Sequence, residues 1–208
     1  TELATRQGAS IATATSVQQI IHNGKHFEIT LANDELLYTN YCIVTTSPEQ
    51  ILKITPQLNA ELFQNFTPIK GASLDVVLKK LPRPNLHFAL GLDQPLYYSN
   101  HSHVTTLTEN PDHCVVHVYK YFSKEDEQRH VKKELEQFLS KLQPGWEAEE
   151  VYSRFLPNLT VSHRLPQREH ETFTTLSSGI PGFFIAAEWT STKAMLADGA
   201  ISSGKMAA

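Results

Sequence analysis

Apolar and polar residues alternate at period two from Phe27, where Phe27, Ile29 and Leu31 are set against Glu28 and Thr30. This predicts a half-buried strand. The run before it, residues 15–21, is extended, and the Asn23-Gly24 pair between the two is a hairpin signal. Residues 3–7 read as the end of a helix closed by Gly8, and residues 9–14 as a short strand. A second turn at 32–35 leads through Leu36-Leu37-Tyr38 to residues 41–46, which are apolar at successive positions. That run predicts a strand covered on both sides.

Ser47-Pro48-Glu49 then starts a helix, with Ser47 as N-cap and Pro48 in the first turn. As far as Ile69 the chain is polar and interrupted by Pro56 and Pro68, which predicts short helices. From Gly71 the period of two returns, with Leu74, Val76 and Leu78 on one face. Residues 86–92, 95–99, 104–107 and 114–122 are further strand candidates, making a second sheet of about four or five strands. The clearest helix has Ser123 as cap and Glu125, Asp126 and Glu127 in its first turn. Its stripe is Val131, Leu135, Phe138, Leu139 and Leu142, and Pro144-Gly145 ends it. Residues 149–156 fit a strand or a helix, and 160–165 a strand. A loop at 177–182 delivers the chain to residues 183–187, a wholly apolar strand read as buried on both faces.

Composition narrows the function. A chain of 208 residues is one large domain or two small ones, long enough to bury a core without staples. A net charge of −4 gives a nucleic-acid partner no electrostatic support. No apolar run approaches the length of a membrane span, and the first residues are not a signal peptide. Cys42 and Cys114 lie far apart in apolar runs and read as buried thiols, which fits a cytoplasmic location. The start inside a helix and the end without a stop signal read as a trimmed or partial chain. His101-x-His103 is half of a metal pattern, but no third ligand stands at a convincing spacing. These histidines, with His113 and His117, read as exposed or hydrogen-bonded, and no metal is expected. No local Ser/His/Asp or Cys/His grouping supports a hydrolase. Tyr97, Tyr98, Tyr119 and Tyr121 either line a substrate pocket or fill the core of the second sheet.

The chemistry concentrates at the end of the chain. Glu188 directly follows the apolar strand, and a carboxylate there can accept hydrogen bonds from ligand hydroxyls. The helix after it is built of small residues, among them Ala197, Gly199, Ala200, Ser203 and Gly204. Interior glycines cost a helix about 1 kcal/mol each relative to Ala, a cost that makes sense where something must approach closely. The first-turn N–H groups of such a helix favour negative charge in front of them.

At these residues the sequence resembles the flavin amine oxidase and phytoene desaturase superfamily. The matching stretches are Ala187-Glu188-Trp189 and Leu196-Ala197-Asp198-Gly199-Ala200-Ile201-Ser202-Ser203-Gly204. Gly8, Ile11, Thr15, Val17 and Ile20, followed by Ile43-Val44-Thr45-Thr46-Ser47-Pro48, match the family's front run. The resemblance implies that Glu188 binds the ribityl chain of FAD, with Trp189 beside it. Leu196 would lie against the flavin ring and the N–H near Ala197 would face its pyrimidine carbonyl. Val17 would contact the adenine through its backbone, although a plain core position fits it equally. The implied fold is α+β: a partial FAD/NAD(P)-binding, Rossmann-like half from residues 1–48 and 176–208, around an inserted mixed-sheet and helix substrate domain, 49–175. The implied activity is FAD-dependent oxidation of a C–N or C–C bond in a small or apolar organic substrate, with hydride passing to flavin. There are departures from the family pattern. No G-x-G-x-x-G occurs, Ala187 stands for the usual Gly, and Asp198 for the usual Glu. The 208 residues alone are therefore expected to hold little FAD. The alternative is a non-catalytic α+β module that binds a ligand or partner.

Overall fold

The computed structural model describes residues 2–122, 130–164, 173–190 and 194–208. The chain parts into two compact units, residues 1–67 with 163–208, and residues 68–162. It is a mixed α+β fold, the class that the resemblance implies.

The first unit begins with α1 (Glu2–Arg6), which buries no side chain, and Gly8 follows it in left-handed backbone with φ 88°. The strand expected at 9–14 is absent, because Ile11 is the one large apolar side chain there and it lies exposed with no sheet to cover it. Strands β1 (Val17–His22), β2 (Phe27–Leu31) and β3 (Leu36–Thr39) form an antiparallel meander. Its first hairpin closes as predicted, with Asn23 Oδ1 accepting the Lys25 and His26 N–H groups and Gly24 at φ 91°.

Strand β4 (Cys42–Val44) pairs in parallel with β10 (Phe183–Ile185), so the two ends of the chain meet in one sheet. The prediction that β4 is buried on both sides fails. Cys42 and Val44 are buried, but Ile43 is 47% exposed, since this two-stranded sheet packs one face on the core. In β10, Phe183 and Ile185 are buried and Phe184 is half-buried. Gly182 delivers β10 with φ 78°, and a Cβ there would come 2.7 Å from the Asn40 carbonyl oxygen.

Helix α2 (Pro48–Ile54) starts as predicted, with Ser47 Oγ accepting the Gln50 N–H at 3.2 Å. Its Ile51 and Ile54 enter the same core as Ile20, Phe27, Val44 and Phe183. Phe63 and Phe173 enter it too. The compact units therefore part at 67/68 and 162/163, and the expected boundaries at 48/49 and 175/176 fall inside the first. Burial of Cys42 pushes its thiol pKa up to about 11, and both cysteines are free.

The second unit is a five-stranded antiparallel sheet with helix α3 on one face. Its strands are β5 (Ile69–Leu78), β6 (Phe88–Leu90), β7 (Leu96–Asn100), β8 (Cys114–Tyr121) and β9 (Glu150–Ser162), in the order β6-β7-β8-β5-β9. Helix α3 (Val131–Leu142) buries Val131, Leu135 and Leu139 against Leu74, Val76, Tyr98, Val116 and Val118. Full burial of each such side chain is worth about 1.5–3 kcal/mol. The expected start of this helix, from Ser123 through Glu127, lies outside the described residues. The run left open between strand and helix at 149–156 is strand from Glu150, continuous with the first half of 160–165 as β9. Pro157 is accommodated because β9 is an edge strand and the register against β5 shifts between Gly71 and Ser73. Residues 104–107 form no strand, since a 3-10 turn at His101–His103 leaves Val104 exposed without a strand partner.

Candidate functional site

Four of the five expected contact residues come together at the end of the first unit. After β10 the chain makes a 3-10 turn, Glu188–Thr190. Thr190 closes it: Oγ1 donates to the Ala187 carbonyl at 2.9 Å and accepts the Ala187 N–H at 3.1 Å. Glu188 is half-buried, and its Oε1 accepts the backbone N–H of His163 at 3.3 Å. Trp189, counted from sequence among the cofactor contacts, has its indole inside the core, only 3% exposed. Its ring centroid is 5.5–5.9 Å from those of Phe63, Phe66 and Phe173. The indole thus anchors the turn that carries Glu188.

Helix α4 (Leu196–Ala207) begins with no side-chain cap. Its ladder starts where the Gly199 N–H reaches the Met195 carbonyl at 3.1 Å, so the N–H groups of residues 196–198 lie ahead of it. Leu196 is 55% exposed and sits at φ 53°, a left-handed conformation that is unusual for a bulky residue. Strain of this kind collects where surrounding structure and function require it. Ala197 is exposed beside it. Gly199 faces inward, and a Cβ there would meet the Glu188 carbonyl oxygen at 2.9 Å and that of Ala194 at 3.0 Å. This explains one of the two helix glycines by backbone approach, whereas Gly204 has open space around it.

Val17 is not part of this grouping along the chain. It opens β1 at a register shift against β2, half-buried, with its side chain packed on the core that holds Trp189. A register shift leaves backbone groups outside the regular ladder.

The second unit holds a polar cluster that sequence reasoning missed. His117 Nδ1 and Asp75 Oδ1 are 2.7 Å apart. Ser73 Oγ donates to the same oxygen at 2.7 Å, and Arg154 donates from Nη2 to Asp75 Oδ2 at 2.8 Å. Burial alone would raise the Asp75 pKa, but the hydrogen bonds from His117, Arg154 and Ser73 outweigh it and hold the carboxyl well below the usual carboxylate range. The ring of His101 lies 4.2 Å from that of His117, and burial first, then its neighbour's charge, push its pKa down. The available signal was Ser73 and Asp75 at the off-core positions of β5, opposite a histidine in a valine-rich strand. Among the described residues no group of three or more His, Cys, Asp or Glu side chains is placed to hold a metal ion. The tyrosines divide by face: Tyr98 is core, while Tyr97 and Tyr119 are half-buried and Tyr121 is exposed.

A family model for flavin containing amine oxidoreductases matches residues 1–208. An oxidoreductase from Methanosarcina mazei superposes with a TM-score of 0.72 at 12% identity, over 99% of this chain and 51% of that one. A protein from Exiguobacterium sp. 255-15, described provisionally as a protoporphyrinogen oxidase, gives 0.64 at 15% identity, over 93% and 45%. A redesigned putrescine oxidase triple mutant gives 0.63 at 13% identity, over 99% and 50%. The chain spans about half the length of these solved structures. No curated protein sequence matches it.

Proposed function

The chain belongs to the flavin containing amine oxidoreductase family, and from that premise we propose that it forms the flavin-edge wall of an FAD-dependent oxidoreductase. The observation that carries this reading is the start of α4, an uncapped first turn with Leu196 and Ala197 exposed and Leu196 in left-handed backbone. The residues fit a flat ring with a carbonyl edge: an apolar side chain for the face, backbone donors for the oxygen, and the carboxylate of the preceding 3-10 turn for hydroxyls.

Bound there, FAD would supply the acceptor for a hydride leaving a C–N or C–C bond of a small or apolar organic substrate. The chain's own part is to bind and orient. Leu196 would pack on the ring. The N–H near Ala197 and the positive end of the α4 dipole would favour negative charge at the ring edge. Glu188 would accept hydrogen bonds from the ribityl hydroxyls, and Trp189 would hold its turn in place. Val17 would offer a backbone contact to the adenine from the register shift in β1. In this reading residues 1–67 and 163–208 form the cofactor half, Rossmann-like in its parallel β4–β10 pair. Residues 68–162 form the substrate half.

Flavin retention tests the reading. The protein purified at its full natural length should carry, or take up on titration, about one equivalent of FAD, while residues 1–208 alone should retain much less. A full-length protein that takes up no FAD would sink the oxidoreductase reading in favour of a binding module.

A further inference from the structure

The face of the five-stranded sheet turned away from α3 carries a row of paired residues across every strand, polar on all but β6. Cross-strand register places Phe88 opposite Ser99, Ser99 opposite His117, His117 opposite Asp75, and Asp75 opposite Arg154. Residues paired this way in antiparallel strands share a face. Asp75 and His117 are held by a 2.7 Å hydrogen bond, and the carboxylate is fixed by Ser73 and Arg154 from its other sides. An ionised carboxylate on Nδ1 selects the tautomer with the proton on that nitrogen. In the neutral ring Nε2 is then a lone-pair acceptor, on the far edge of a side chain that keeps 27% of its surface exposed. Among the described residues no protein donor meets that nitrogen.

The surroundings are aromatic. Tyr97 stands opposite Tyr119 one row along the same face. Phe88 packs edge-on against Tyr97 at 5.3 Å, and Tyr119 against Tyr121 at 4.8 Å. Gly71 leaves room for the Tyr119 ring, whose hydroxyl a Cβ there would strike. Within the row itself, Ser99 is buried and its Oγ has no hydrogen-bond partner. A buried hydroxyl without a partner, beside an oriented imidazole, is the kind of exception that asks for an explanation. An apolar, aromatic floor with one oriented acceptor is the make-up of a small-molecule site.

We propose that this face binds a planar aromatic ligand bearing an O–H or N–H donor, which donates to His117 Nε2 while its ring lies among Phe88, Tyr97 and Tyr119. Asp75 is a positioning residue that fixes the histidine's tautomer. The site lies wholly within residues 68–162 and needs no flavin, so its failure and that of the oxidoreductase reading are separate results.

Phenol and anisole are the probes, because they share a ring and differ in the donor. With the 208-residue chain labelled with ¹⁵N at histidine, phenol should shift the His117 Nε2 resonance and anisole should not. Phenol should also bind roughly three- to tenfold more tightly, the worth of one neutral hydrogen bond. His117→Gln should abolish that preference. Asp75→Asn should reduce it and move the His117 proton between its two nitrogens. Lys133→Ala, an exposed change on α3 at the other face of the sheet, should leave the preference unchanged. Equal affinity for the two probes, no binding of either, or a phenol response that spares His117 in the unmodified chain would overturn the proposal, whether or not the variants fold.

Discussion

A Cβ at position 199 would stand 2.9 Å from the carbonyl oxygen of Glu188, so Gly199 and Glu188 bring α4 and the turn before it into backbone contact. Gly199→Ala gains about 1 kcal/mol of helix propensity. It also forces two carbonyl oxygens, of Glu188 and Ala194, to move, and overpacking of this kind costs typically 1–3 kcal/mol. The expected net result is destabilisation, read as a lower urea midpoint, with a parallel loss of FAD retention. A variant as stable as the parent would show that the helix can slide freely.

Glu188 is the carboxylate carried by that turn. Glu188→Ala should weaken FAD retention by about 1.5–3 kcal/mol, the worth of hydrogen bonds to a charged group. Glu188→Gln keeps an oxygen for the His163 N–H and should lose less. Equilibrium dialysis of FAD against both variants measures the difference, and an unchanged affinity in Glu188→Ala would count against the ribityl contact.

Leu196 offers the opposite trade. Its φ of 53° costs an L-residue roughly 1–2 kcal/mol, which glycine does not incur. Leu196→Gly should therefore be no less stable than the parent in urea, while its flavin affinity falls through loss of the ring contact. Loss of stability with affinity intact would reverse the assignment.

Asp75 sets an acid limb. Its folded pKa is depressed, so its contribution is complete above the unfolded value of about 3.9 and is lost as pH falls below it. Between pH ~5 and pH ~3 the urea midpoint of the parent should drop more steeply than that of Asp75→Asn. Parallel slopes would mean that other groups carry the acid sensitivity.

Gln143 is fully buried, and its side chain joins three polar groups of two residues, Arg83 and Tyr98. Its Oε1 accepts the Arg83 N–H at 2.7 Å, and its Nε2 donates to the Arg83 carbonyl at 3.1 Å and to Tyr98 Oη at 2.8 Å. Gln143→Leu strands these groups in the interior at about 1–3 kcal/mol each when water cannot reach them. Chemical denaturation should show a loss well beyond that of Tyr98→Phe, and a loss no greater than Tyr98→Phe would mean that solvent reaches the Arg83 loop.

The sequence by itself determined the elements and the closing motif. Period two in β2, β5 and β8, the Ser47-Pro48 start of α2 and the Val131–Leu142 stripe are local patterns, and local sterics and burial read them directly. The order of apolar strand, Glu188 and small-residue helix was legible for the same reason. Tertiary structure alone decided what those elements meet. Ile43 looks like its neighbours in sequence, but the two-stranded sheet covers only one of its faces. Trp189 stands beside Glu188 in the motif, but successive residues in a tight turn point in different directions, and the core took the indole. Along the chain Asp75 lies 42 residues from His117 and 79 from Arg154, and only the antiparallel register of β8, β5 and β9 sets them side by side. Periodicity reports which face a residue occupies. It carries no information about which strand comes to lie beside it, and that pairing assembled the Asp75–His117–Arg154 cluster.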